Sequence, residues 1–128
     1  MLSCLRIEDQ ILLKKVYQIA KERKVKLYLV GGILRDALLE RDKENPDIDF
    51  CLKKGAINFG RQLAKELKAG FVVLDKVRRC SRVVKRIKNR VYTLDFIDFR
   101  GKTLEKDLLY RDFTINAIAY EPESDELI

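Results

Sequence analysis

Residues Leu27 to Phe50 read LYLVGGILRDALLERDKENPDIDF, and the reading of the whole chain turns on them. Leu27, Tyr28, Leu29 and Val30 are apolar and run straight into glycines, the pattern of a buried strand, here expected over 26–30. Gly31 and Gly32 then make a turn through which backbone can approach a ligand closely. Ile33 to Glu40 has helical spacing. Leu34, Ala37 and Leu38 share one face, while Arg35 and Asp36 point elsewhere. A glycine turn that opens a helix presents unpaired N–H groups and a positive dipole end, which suits a phosphate.

The stretch closes on Asp47-Ile48-Asp49-Phe50, which predicts a strand over 47–52. On a strand, residues i and i+2 point to the same side, with their Cα atoms about 6.5 Å apart. Asp47 and Asp49 therefore aim together, and Ile48 and Phe50 aim at a core. Two carboxylates on one face repel unless a cation lies between them. Oxygen-only ligands suit a hard cation, Mg2+ before Ca2+, and Mg2+ keeps waters and substrate phosphates in its shell. A phosphate cradle followed by a metal perch suggests phosphoryl or nucleotidyl transfer. The glycine pair fits neither the dinucleotide fingerprint nor the P-loop spacing.

A third acid is needed beside such a pair. Ser81–Ile87 and Val91–Phe99 predict a hairpin turning at Lys88-Asn89. On its second arm Leu94 and Phe96 share a face, and Asp95 opposes them. If Leu94 and Phe96 cover the same core as Ile48 and Phe50, Asp95 faces the same side as Asp47 and Asp49. Asp98 has the opposite parity and reads as a cap or as a partner for a neighbouring arginine.

Other features narrow the function. At 128 residues the chain fits one domain, and it holds no histidine, which removes Ser-His and Cys-His catalysis and His-based zinc sites. Cys4, Cys51 and Cys80 lack a CxxC spacing, the pattern of reduced thiols in a cytoplasmic protein. No apolar run approaches the length of a membrane span, so no membrane partner is expected. The net charge is +7, and eight of the 27 basic residues fall between Lys76 and Arg90 with no acid among them. Without that run the chain is close to neutral. The run suggests a polyanion, either RNA or a triphosphate, with Arg82, Lys85, Arg86 and Lys88 as the candidate RNA contacts. The plainer alternative is a solvated hairpin.

Around these motifs, Glu8–Arg23 reads as an amphipathic helix with Leu12, Val16, Ile19 and Ala20 on one stripe. Ala56–Leu67 reads as a second, with Phe59, Leu63 and Leu67 at core spacing. Phe71–Leu74 is a short strand, Leu104–Leu109 a brief helix, and Arg111–Ala119 a further helical candidate. Pro122–Asp125 is a turn, and Glu126-Leu127-Ile128 begins a strand in mid-element, as at a boundary inside a longer protein.

The segment LVGGILRDALL followed by DID resembles the first signature of the DNA polymerase beta-like nucleotidyltransferases. Within these it is most similar to the tRNA nucleotidyltransferase and bacterial poly(A) polymerase family, the class II CCA-adding enzymes, whose pattern is GGxxRDxLL, a loop, then DxD. The loop Arg41–Pro46 is about two residues longer than that pattern's usual spacing. Arg111-Asp112-Phe113-Thr114-Ile115-Asn116-Ala117 matches the family's RRDFTxNA signature, with Tyr110 in place of its first arginine. The family's third acid, in its E-x-x-x-F-R segment, falls on Asp95, with Phe99-Arg100 matching FR. The resemblance covers the chain from about Leu27 onward.

The resemblance implies an α+β head domain in which helices cover one face of a mixed sheet and the carboxylates lie on the open face. It implies attack by an RNA 3′-hydroxyl on the α-phosphate of CTP or ATP. Asp47, Asp49 and Asp95 would be the catalytic carboxylates and hold two Mg2+ ions. Gly31, Gly32, Arg35, Arg111, Asp112 and Asn116 would contact the nucleotide, although Arg111-Asp112 could equally be a local ion pair. The family selects its base and grips tRNA with further helical domains beyond residue 128, so the chain is expected to be a catalytic head completed by more protein, in cis or in trans. The competing expectations are a minimal nucleotidyltransferase acting on a protein or small molecule, and a non-enzymatic RNA-binding module.

Overall fold

The computed structural model describes residues 7–30, 45–99, 119–121 and 126–127. Among these residues two helices, α1 (Ile7–Glu22) and α2 (Ala56–Leu67), lie with seven strands: β1 (Tyr28–Val30), β2 (Asp47–Leu52), β3 (Gly70–Asp75), β4 (Cys80–Ile87), β5 (Arg90–Asp98), β6 (Ala119–Glu121) and β7 (Glu126–Leu127). The strands form one sheet in the order β3-β4-β5-β2-β1-β6-β7. β2 and β5 run parallel, and every other neighbouring pair is antiparallel, so the sheet is mixed as expected.

Each helix buries the stripe that its periodicity predicts. From α1, Leu12, Leu13, Val16, Ile19 and Ala20 are buried, and from α2, Ala56, Phe59, Gly60, Leu63, Ala64 and Leu67. These side chains meet Leu29, Ile48, Phe50, Val83, Leu94 and Phe96 from one face of the sheet in a single core. An aromatic series runs through it. Tyr17 meets Phe50 edge-on at 5.9 Å, Phe50 stacks on Phe96 at 5.0 Å, and Phe59 meets Phe96 edge-on at 5.2 Å. Gly60 lets α2 approach β4 closely, since a Cβ there would collide with the Ser81 hydroxyl.

Buried polar groups fasten both helices to the sheet. Gly55 at the start of α2 has no side chain to cap it. The Asp98 carboxylate serves instead, accepting a hydrogen bond from the Ala56 N–H at 2.8 Å, with Arg79 3.7 Å away on its other oxygen. The cap and arginine partner expected for Asp98 are both present. The Ser81 hydroxyl donates to the Ala56 carbonyl at 2.9 Å. On α1, Asp9 is buried and accepts from the Tyr92 hydroxyl at 2.6 Å and from Arg90 at 3.0 Å. Burial, and then the hydrogen bond to Asp9, push the Tyr92 phenol above its usual range.

Several expectations need adjustment or lie elsewhere. The first strand covers 28–30, with Leu27 buried just before it. Ala119, expected to end a helix, instead begins β6, which pairs with β1. The Gly31-Gly32 turn, the 33–40 and 104–109 helices, the 122–125 turn and the rest of the 111–119 segment fall outside the described residues. No described helix is long and apolar enough to cross a membrane.

Asp98→Ala should lower stability by about 1–2 kcal/mol, the scale of a lost helix N-cap. Asp98→Asn, which keeps an acceptor at Oδ1, should cost less. Urea denaturation of the three proteins measures the difference.

Candidate active site

Parallel pairing of β2 with β5 aligns Asp47 with Thr93, Ile48 with Leu94, Asp49 with Asp95, and Phe50 with Phe96. Alternation sends Ile48, Phe50, Leu94 and Phe96 to the helix-covered face, where all are fully buried. Asp47, Asp49 and Asp95 therefore share the face turned away from α1 and α2. Asp49 and Asp95 are cross-strand neighbours, with Cα atoms about 4.8 Å apart by strand spacing. Asp47 is exposed, and the other two are half-buried.

The neighbouring strands extend this into a row. Arg82 on β4 pairs in register with Asp95, Val72 on β3 with Arg82, and Val30 on β1 with Asp49. Across the sheet the row reads Val72, Arg82, Asp95, Asp49, Val30. The row on one side holds Val84, Thr93 and Asp47, and the row on the other holds Cys80, Ile97, Cys51 and Tyr28. Val30 and Cys51 are buried here, with Tyr28, Ile97 and Phe99 packed against them. The charged row thus has an apolar flank, which lowers the local dielectric and strengthens its interactions.

The arginine in that row was not foreseen as a partner of the site. Arg82 Nε donates to Asp95 Oδ1 at 2.8 Å and Nη2 to Oδ2 at 3.0 Å, a two-pronged ion pair that engages both carboxylate oxygens. The hydrogen bond to Asp95 pushes the guanidinium still higher, so it remains a cation. The signal was available in the hairpin. Six residues outward from Lys88 on one arm and six from Asn89 on the other lead to Arg82 and Asp95.

The donor chemistry of Asp47 and Asp49 fits Mg2+, because both offer hard oxygens from one side. Among the described residues, however, no three His, Cys, Asp or Glu side chains converge closely enough to hold a metal. Asp95 shares the face but is turned to Arg82.

The basic run does not form one patch. Arg82 and Arg86 alternate onto the carboxylate face. Lys85 lies on the other face, its Nζ donating to the Leu67 carbonyl at 2.8 Å, where it complements the negative end of α2. Lys88 is exposed in the β4–β5 turn with φ 55°. Arg90 is held by Asp9 and Glu8. Lys76 and Arg79 line a separate cavity of about 840 Å3 near the start of α2, with Arg23, Lys54 and Arg61. Gly31, Gly32, Arg35, Arg111, Asp112 and Asn116 lie outside the described residues.

Cys80 stands beside Ile97 on the carboxylate face, and burial, then the charge of Asp95, push its thiol up, with Arg82 opposing. Raising the pKa disfavours the thiolate at neutral pH. In a Cys4→Ser background, alkylation of Cys80 should therefore accelerate only above the pH at which a free thiol does. A rate profile against pH measures the midpoint.

The sequence from 27 to 128 matches the family model described as Poly A polymerase head domain. It is 49% identical over 100 residues to a CC-adding tRNA nucleotidyltransferase of Synechocystis sp., covering 78% of this chain and 23% of that protein. It is 40% identical over 101 residues to a CC-adding tRNA nucleotidyltransferase of Geobacter sulfurreducens, covering 79% and 23%. A solved tRNA nucleotidyltransferase, complexed with a primer tRNA and an incoming ATP analogue, matches 88% of this chain and 33% of its own, at 32% identity and a TM-score of 0.72. The chain spans less than a quarter of the length of these curated relatives. With both signatures and the carboxylate-bearing mixed sheet in place, the chain belongs to the poly A polymerase head domain family.

Proposed function

We propose that this domain is the catalytic head of a cytoplasmic tRNA nucleotidyltransferase that transfers a nucleotide from CTP or ATP to an RNA 3′-hydroxyl. The observation that carries the reading is the alignment of Asp49 with Asp95, and of Asp47 beside them, on the face away from the helices. Identity is 49% and 40% to CC-adding relatives, 37% and 35% to multifunctional CCA proteins and 32% to an A-adding one, so cytidine is the first nucleotide to test.

Asp47 and Asp49 would hold Mg2+, with Asp95 as third carboxylate, and the chemistry gained there is a more acidic 3′-hydroxyl and a neutralised leaving pyrophosphate. The remaining work falls to the chain itself. The sheet holds the carboxylates on strands rather than loops, so their separation varies little as substrates arrive. Gly31, Gly32 and Arg35 are assigned to the triphosphate, and Arg111, Asp112 and Asn116 to phosphate and ribose, on the strength of the two signatures. Base choice and most of the tRNA grip belong to the additional domains that this reading requires.

The test is labelled CTP incorporation into tRNA lacking its CCA end, using the full-length protein. Asp49→Asn should reduce incorporation by at least about 100-fold, the scale of losing one charge-stabilising group. Circular dichroism and tRNA binding should be unchanged. Incorporation that survives Asp49→Asn would refute the assignment. RNA binding with no incorporation by the wild-type protein would point to a binding module instead.

A further inference from the structure

Arg82 stands where a cation is most needed and where a catalytic third carboxylate can least spare one. Asp49 and Asp95 are neighbours in register, and their mutual repulsion has to be relieved. Arg82 relieves it by engaging both oxygens of Asp95. A divalent ion at the same carboxylates would need those oxygens, so metal and guanidinium compete for Asp95. The guanidinium borders solvent. Its side chain is 40% exposed, whereas Asp95 is 19% exposed, so Arg82 can swing toward solvent while Asp95 stays. Its planar fork suits phosphate oxygens as well as carboxylate oxygens.

We propose that Arg82 is a positioning residue that occupies Asp95 in place of the metal and, when metal takes the carboxylates, is released to the triphosphate of the incoming nucleotide. The proposal rests on the function proposed above. Arg82 then offsets the mutual repulsion of Asp49 and Asp95, and its release couples metal entry to nucleotide binding. In that scheme the residue opposes metal in the absence of nucleotide and supports nucleotide in the presence of metal. An arginine that only braces the fold would do neither.

The test measures Mn2+ binding to metal-free full-length protein by electron paramagnetic resonance, and CTP binding with Mn2+ saturating. Arg82→Met removes the charge and keeps the stem, and Arg82→Gln serves as a second variant if the first fails to fold. Loss of the competing cation should tighten Mn2+ binding about tenfold, the scale on which an adjacent opposite charge shifts a carboxylate. The same variant should weaken CTP binding about tenfold. Unchanged or weaker Mn2+ binding in a folded variant would overturn the proposal, as would unchanged CTP affinity. Asp49→Asn is the separate control. If it abolishes Mn2+ binding while the Arg82 variants leave it alone, only the role of Arg82 falls. If it leaves Mn2+ binding intact, the carboxylates are not the metal site and the functional reading falls with it.

Discussion

The stacking of Phe50 on Phe96, 5.0 Å apart with ring planes 8° from parallel, is the contact on which the rest depends. The two rings belong to adjacent parallel strands, and they lie in register. Because both are committed to the core between the sheet and the helices, the preceding residue on each strand is committed to the opposite face. Those residues are Asp49 and Asp95. A slip of one residue on either strand would bury a carboxylate and expose a phenylalanine, and the cost of both errors together holds the register. The site is thus a consequence of core packing.

The helices are held by polar contacts as well as by apolar stripes. Asp98 reaches the start of α2 from the end of β5, and Ser81 reaches the carbonyl of the same residue from β4. Asp9 reaches back from α1 to Arg90 and Tyr92, next to the β4–β5 turn. Each is buried with its partners in place, so each specifies where a helix end sits along the sheet. One effect is that β5 is tied at both ends, at Tyr92 and at Asp98, with Asp95 between the two anchors.

The charge of the domain is also organised by the sheet. A run of eight basic residues in sequence is divided by strand alternation and by the two turns. Arg82 pairs with Asp95, Lys85 completes the end of α2, and Arg79 and Arg90 lie beside the buried Asp98 and Asp9. Among the described residues the run is therefore distributed over both faces of the sheet and its turns. Arg82 and Arg86 are the members of the run that lie on the carboxylate face of β4.

The sequence by itself determined the local pieces: α2 and β2 to the residue, the hairpin and its turn, and the sides on which Asp47, Asp49, Asp95 and Asp98 lie. Periodicity encodes these directly, because a strand alternates every two residues and a helix shows one stripe. Only the tertiary structure decided which elements are neighbours. Parallel pairing of β2 with β5 crosses more than forty residues, and Asp9 finds Tyr92 across 83. β6 lies beside β1, although the residues before it carry no clear strand pattern. The Arg82–Asp95 pair stands between the two cases. Its register follows from the turn, but its strength comes from the two-pronged geometry and the apolar flank, which are set by strands brought together from across the chain.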